Sequence, residues 1–93
     1  MKNRRENELV TFKKLLSDAK RWRESKLLRD YIKDIEINAE KTDSVSKELI
    51  EWIEWANLKV DWYDPLINTN DDLLSEVDKE NLTFKNPNST YRF

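Results

Sequence analysis

The chain has 93 residues, of which 39% are charged and 38% hydrophobic; this suits one small helical domain and leaves no apolar run of about 18 residues for a membrane span. It has no cysteine, histidine or glycine, which excludes disulfides, thiolate zinc sites, imidazole-dependent catalysis and glycine-rich phosphate loops. The net charge of −2 is uneven, because residues 1–33 hold eleven basic and five acidic side chains and residues 34–80 hold four and fourteen.

The first predicted element is a long helix over about residues 6–40. Its apolar residues recur mostly at steps of three or four, the α-helical period. They are Leu9, Phe12, Leu15, Leu16, Ala19, Trp22, Leu28, Tyr31, Ile32, Ile35 and Ala39. The apolar pattern is weakest at residues 23–26, where the small residue Ser25 takes the position at which an apolar residue is expected. Because no proline or glycine forces a break there, we predict that the helix continues through Ser25.

A second helix is predicted over about residues 44–63. Thr42, Asp43 and Ser44 form a cluster of N-cap residues before its apolar stripe, and Pro65 ends it. Because the connection between the two helices is short, we expect them to form an antiparallel helical hairpin.

The remaining chain contains one more predicted helix. Asp71 is a candidate N-cap for a short third helix over about residues 71–78. Beyond Lys79 the sequence predicts an extended or disordered tail, with Phe84, Tyr91 and Phe93 as candidate anchors. The fold class is therefore all-α, with a helical domain over residues 1–78 and an irregular tail over 79–93.

The two long helices differ in length. At 1.5 Å per residue the first would be about 50 Å long and the second about 30 Å, so the second covers the first only back to about Lys20. The uncovered apolar stripe consists of Leu9, Phe12, Leu15, Leu16 and Ala19. Leaving it in water forfeits several kcal/mol, so we expect the tail, a second copy or another protein to cover it.

A second apolar strip is predicted on the second helix. Trp55, Leu58 and Trp62 lie off its main stripe. Tryptophan is enriched at interface hot spots, so these residues are candidates for partner binding, or else for a second core face covered by the tail. Stacking on single-stranded bases is less favoured, because the surroundings are acidic.

The basic first helix raises an alternative, binding to nucleic acid. Lys13, Lys20, Arg23 and Lys26 could line one flank and contact phosphates. The chain has no helix-turn-helix spacing to dock such a flank. Mutual neutralisation of a basic first helix and an acidic second helix explains the charges more simply.

Candidate catalytic and metal sites are weak. Asp61, Asp64, Asp71 and Asp72 are better explained as capping and turn residues, because a calcium loop relies on a glycine turn. Ser44 and Lys47 have serine–lysine spacing but fit a helix start better. We expect no enzyme activity, metal, cofactor or small-molecule substrate.

Three short patterns suggest a family resemblance. They are Trp22-x5-Leu28-Arg29-x-Tyr31-Ile32, Glu51-Trp52-Ile53-x-Trp55-Ala56 and Asp61-Trp62-x-Asp64-Pro65. Together they resemble a helical module at the C-terminal end of various uncharacterised bacterial proteins, which implies a bacterial or mobile-element origin and an accessory role without known activity. No signal peptide is visible, so we expect a cytoplasmic location.

The sequence thus predicts a small protein–protein interaction or assembly module. It would dock through the apolar stripe of the first helix and the aromatic strip of the second, onto a protein partner or a second copy. The alternative is a nucleic-acid-binding accessory protein that uses the basic first helix.

Overall fold

The computed structural model describes residues 2–85, with side chains from residue 4 onward. The described chain is mostly α-helical. Its elements are α1 at Lys2–Lys41, α2 at Lys47–Tyr63, and the short strands β1 at Val77–Asp78 and β2 at Thr83–Phe84. The principal dimensions are 64 × 35 × 18 Å, and the longest is close to the length of about 60 Å expected for a helix of 40 residues.

Helix α1 continues without interruption through Ser25, as predicted. The Ser25 side chain is only 1% exposed. Arg21 and Arg29, about one turn to either side of it, both bond to residues at the C-terminal end of α2. Ser25 therefore lies where α2 crosses α1, and its small side chain lets the two helices approach closely.

The turn between the helices differs in detail from the prediction. Helix α2 begins at Lys47, and its N-cap is Ser46, whose Oγ accepts a hydrogen bond from the Leu49 N–H at 3.1 Å. Thr42 and Ser44 instead bond to carbonyl oxygens at the end of α1. Asp43 takes a positive φ of 54°, a conformation that aspartate tolerates better than most residues. The N-cap cluster of the sequence thus closes α1, and α2 starts one turn later.

The predicted third helix over residues 71–78 is wrong. Residues 72–76 form turns, and β1 then pairs antiparallel with β2, with Val77 opposite Phe84. Asp71 does cap this segment, since its Oδ1 accepts hydrogen bonds from the N–H groups of Leu73 and Leu74. A helix of about seven residues gains too few hydrogen bonds to offset the cost of nucleation, so the segment turns into a strand instead.

The C-terminal part of the chain lies partly outside the described residues. The residues after Lys79 that the structure describes form a turn and β2, and Leu82 within that turn has a positive φ of 57°. Phe84 lies in β2 and is exposed. Tyr91 and Phe93, the other two candidate anchors, lie outside the described residues.

The buried core is small and sits where α1 meets α2. It consists of Ile32 from α1 with Ala56 and Val60 from α2, and Ile53 packs against it. Most other large apolar side chains of the described chain remain exposed. The fold therefore leaves much of its apolar surface available for contacts with other molecules.

Candidate protein interface

The apolar stripe predicted on the first half of α1 is exposed along its whole length. We call it the N-terminal stripe; it consists of Leu9, Phe12, Leu15, Leu16 and Ala19. The four large side chains are 50–63% exposed. Among the described residues, Arg21 is the first of α1 that bonds to α2. Helix α2 therefore does not reach the stripe, as its length predicted.

A second apolar surface lies in a groove of about 520 Å³ between the two helices. We call it the aromatic groove; its exposed walls are Leu27, Leu28 and Tyr31 from α1 and Trp52 and Trp55 from α2. The core residues Ile32, Ala56 and Val60 also line it. The Trp52 and Trp55 rings are tilted at 39° with centroids 6.4 Å apart. The groove thus offers aromatic walls over a floor that is part of the core.

The aromatic strip predicted on α2 does not form one surface. Trp55 is 53% exposed in the groove, and Leu58 is exposed but borders a different hollow, beside residues 69–73. Trp62 is only 6% exposed, and Lys79 Nζ lies 5.0 Å from its ring centroid. Trp62 is thus buried where the sequence predicted an exposed face, although it also lines the inner part of the aromatic groove, and its docking role stays a prediction.

Sequence reasoning missed most of the aromatic groove. It placed Leu28 and Tyr31 on the apolar stripe of the first helix without predicting that they, and Trp52 on the second, would stay exposed. It did not single out Leu27, which is also exposed. The signal that could have found the groove is the width of the apolar pattern: two adjacent leucines on α1, and two tryptophans beside the core residues of α2, make the apolar face of each helix wide.

Acidic side chains surround the aromatic groove. Glu24 lines it directly, as does Lys59, whose charge is paired with Asp71. Asp30 and Asp34 each follow a wall residue of α1 by three positions, and Glu48 and Glu51 each precede a tryptophan of α2 by four. Residues three or four apart are neighbours on a helix surface, so these four carboxylates flank the groove. The groove is therefore apolar inside and negatively charged at its edges.

The candidate phosphate-binding residues lie on the exposed side of α1. Lys13, Lys20, Arg23 and Lys26 are all exposed. Lys13 and Lys20 border a hollow that also contains Leu16, at one end of the N-terminal stripe. Lys26 Nζ lies 4.9 Å from the centroid of the Trp22 ring. Lys13 and Lys20 thus flank the N-terminal stripe, and Lys26 packs over Trp22.

Three of the four acidic residues considered as a cation site, Asp61, Asp64 and Asp71, serve as structural partners. Arg29 bonds to Asp61 at 2.9 Å and to Asp64 at 3.0 Å, and Lys59 bonds to Asp71. Burial alone would raise the pKa of Asp64, but the Leu66 N–H and the Arg29 guanidinium outweigh burial and lower it. The hydrogen bond from Lys59 lowers the pKa of Asp71. Within the part of the chain that the structure describes, no three acidic side chains are grouped to hold a metal ion.

Tyr63 joins the end of α2 to α1 beside the groove. Its hydroxyl donates to Glu24 Oε1 at 2.6 Å, and its carbonyl oxygen accepts from Arg21 Nε at 3.1 Å. Burial, and then the hydrogen bond to Glu24, raise the pKa of Tyr63 to about 12. This pair fixes the end of the groove near Leu82, which also lines it.

Comparison with protein-family models, curated proteins and solved structures gives no match to this chain. The resemblance to a bacterial helical module therefore gains no support from them. Over residues 2–85, neither helix is long and apolar enough to cross a bilayer. The function must accordingly be argued from the two apolar surfaces themselves.

Proposed function

We propose that the protein is a small helical protein–protein interaction or assembly module without catalytic activity, and that it binds an amphipathic helix of another polypeptide chain. The observation that carries the proposal is the joint exposure of the N-terminal stripe and the aromatic groove. Fully burying one large apolar side chain is worth about 1.5–3 kcal/mol, so a partner that covers either surface recovers several kcal/mol. Contiguous apolar patches of this kind mark interaction sites on small proteins.

The shape of the groove favours a helix as its ligand. Grooves between two helices bind an amphipathic helix through apolar residues at positions i, i+3 and i+7. Trp55 stands half-exposed in the wall, and tryptophan dominates the energy of many interfaces. The acidic residues around the groove select a helix with basic flanks.

The proposed scaffold for these surfaces is an antiparallel helical hairpin. Its support is the order of the contacts between the helices: Arg21 bonds to Tyr63, and Arg29 bonds to Asp61. Farther along α1, Ile32 shares the core with Ala56. Residue numbers thus rise along α1 as they fall along α2, which is the order that an antiparallel pair requires.

The proposal is tested by removing each surface separately. Mass in solution and capture of proteins from a cell lysate are compared for the wild type, Phe12→Ser and Trp55→Ser. Leu66→Ser is the matched control, because Leu66 is exposed and belongs to neither surface. We expect self-association or capture that is lost in the first two variants and retained in the control. A wild type that neither self-associates nor captures any protein through these residues would contradict the function.

Nucleic-acid binding is the alternative outcome. It would appear as binding to DNA or RNA at low salt that weakens steeply between about 50 and 200 mM salt, because phosphate contacts release counterions. Substitution of Lys13 and Lys20 by glutamine would then abolish binding, and Trp55→Ser would leave it intact. That result would replace the protein-docking function.

A further inference from the structure

We infer that the helix bound in the aromatic groove is the first half of α1 from a second copy of the chain, in a reciprocal antiparallel dimer. This inference rests on the proposed function and names its partner. Each copy would place its N-terminal stripe in the groove of the other copy. Both exposed surfaces of both copies would then be covered by a single two-fold arrangement, the commonest symmetry of soluble oligomers.

The first step toward the dimer comes from the lengths of the two helices. Helix α1 has 40 residues and α2 has 17. Tyr63, the last residue of α2, bonds to Arg21, which is close to the midpoint of α1. One α2 thus covers the second half of α1, and the first half matches the length of one more α2. In an antiparallel pair of α1 helices, the α2 of the partner lies beside that uncovered half.

The second step is that part of the N-terminal stripe lies on the same side of α1 as part of the groove wall. Leu9 and Leu27 are 18 residues apart, which corresponds to about five full turns, and Leu16 and Leu27 are 11 apart, about three turns. Antiparallel pairing about the midpoint of α1 sets Leu16 of one copy opposite Leu27 of the other. It also sets Phe12 opposite Tyr31. Apolar residues therefore meet apolar residues at these two positions in each half of the helix, whereas Leu9 falls opposite Asp34.

Leu9, Phe12 and Leu16 have the spacing of a groove-binding helix. They occupy positions i, i+3 and i+7, the set with which an amphipathic helix enters an apolar groove. The aromatic groove presents tryptophans on its second wall, contributed by α2. The inserted helix would thus contact α1 and α2 of its partner together.

Charge supports the same arrangement at the ends of the dimer. Residues 4–14 carry four basic and two acidic side chains, whereas residues 30–54 carry eight acidic and three basic ones. The antiparallel pairing brings these two segments of different copies together. Arg4 and Arg5 would lie near the acidic residues that flank the groove, including Glu48 and Glu51. Opposite charges thus meet at both ends.

At the midpoint of the α1 pair, in contrast, side chains of the same charge meet. Lys20 and Arg23 lie on the side of α1 that would face the partner, and the pairing sets Lys20 of one copy opposite Arg23 of the other. These like charges weaken the dimer. Lys20→Glu would replace two repulsive contacts by two attractive ones and tighten the dimer dissociation constant at least about fivefold at low salt. The same substitution would weaken any binding to nucleic acid. Lys20→Glu therefore strengthens binding if the protein dimerises as inferred, and weakens it if the ligand is nucleic acid.

The first experiment measures mass by sedimentation from about 1 µM to about 1 mM, a range that covers weak and moderate dimers. We expect a reversible dimer with no larger species, tightened by Lys20→Glu and weakened about 100-fold or more by Trp55→Ser. Circular dichroism of each variant verifies that it is folded. Because Lys20→Glu is expected to gain affinity, a loss of folding cannot imitate its effect.

The second experiment uses the absence of cysteine from the chain to attach single reporters. Lys20→Cys, near the two-fold axis, should be joined to its copy by a short thiol cross-linker. Arg4→Cys should not, because the two sites would be about 50 Å apart in the antiparallel dimer. Efficient cross-linking of Arg4→Cys would indicate parallel helices and overturn the arrangement, as would growth of the mass beyond a dimer.

A wild type that stays monomeric at all concentrations would also overturn the dimer. This outcome tests the interaction function separately from the identity of the partner. If that monomer still captures a protein through Phe12 and Trp55, the interaction function stands and the second copy is the wrong partner. If it captures nothing, both fail together.

Discussion

Arg29 on α1 donates from Nη2 to Oδ2 of Asp64, the C-cap residue of α2, at 3.0 Å. The same guanidinium donates to Asp61, one turn earlier, at 2.9 Å. Asp64 is nearly fully buried, and its charge is stabilised by this partner together with the Leu66 N–H. The core between the helices contains few residues, and the Arg29 contacts are therefore a substantial part of what holds α2 against α1.

We expect Arg29→Ala to lower the free energy of unfolding by about 1–3 kcal/mol, because it leaves the buried Asp64 carboxylate without its cation. Chemical denaturation followed by circular dichroism measures this. Lys33→Ala is the control, since Lys33 is exposed on α1 one turn further and lies outside the ion pairs described above. Equal losses in the two variants would contradict the role of Arg29.

The acid side of the stability profile should depend on Asp64. Its pKa is lower in the folded chain than in the unfolded chain, so the folded state binds fewer protons as the pH falls. The contribution of Asp64 to the free energy of unfolding is therefore complete above the unfolded pKa of about 4. It is lost as the pH falls through the folded pKa. Asp64→Asn should flatten this acid limb in denaturation curves recorded at a series of pH values. Asp72→Asn, a change at an exposed residue outside the ion pairs, should leave the limb as steep as in the wild type.

The alkaline side should depend on Tyr63. Its pKa in the folded chain is about 12, above the ordinary value of 10, so folding favours the protonated phenol. This contribution is complete below about pH 10 and is lost as the pH rises toward the folded value. Tyr63→Phe should remove that loss, and Tyr31→Phe should not. Ultraviolet absorbance of the tyrosinate should show a late-titrating tyrosine in the wild type that is missing from Tyr63→Phe.

Ser25 offers a test of the helix crossing. Its buried Oγ has no hydrogen-bond partner among the described residues. A buried hydroxyl without a partner costs free energy, so Ser25→Ala should leave stability unchanged or raise it by about 1 kcal/mol. Ser25→Leu should lower stability by about 1–3 kcal/mol, because the larger side chain forces the helices apart. Thermal unfolding compares the stability of the two variants. A Ser25→Leu variant as stable as the wild type would contradict the close approach of α1 and α2 at Ser25.

The helical part of the fold was predictable because its signals are local. Apolar spacing and the absence of proline and glycine predicted that α1 runs through Ser25, and Pro65 predicted the end of α2. The start of α2 was displaced, because Ser44 and Ser46 are equally good caps in sequence and only the geometry of the turn chooses between them.

The surfaces were harder to predict than the helices. The exposed N-terminal stripe follows from helix length, which the sequence supplies. The burial of Trp62 depends on the segment around Val77 and Lys79 returning to α2, and such a return has no periodic signature. The aromatic groove likewise depends on the angle between the two helices, so residues that the sequence placed on an apolar stripe became its exposed walls.

The uneven support along α1 also sets how its amide protons exchange with solvent. From Arg4 to Lys20 the helix is held by its own main-chain hydrogen bonds and by local side-chain bonds, such as the Thr11 hydroxyl donating to the Asn7 carbonyl oxygen and Lys14 donating to Asp18. Short cooperative openings there cost less than openings beside the core at Ile32, so deuterium should enter the first half of the helix sooner. A bound molecule would slow exchange in that half selectively, which makes the helix itself a reporter of occupancy.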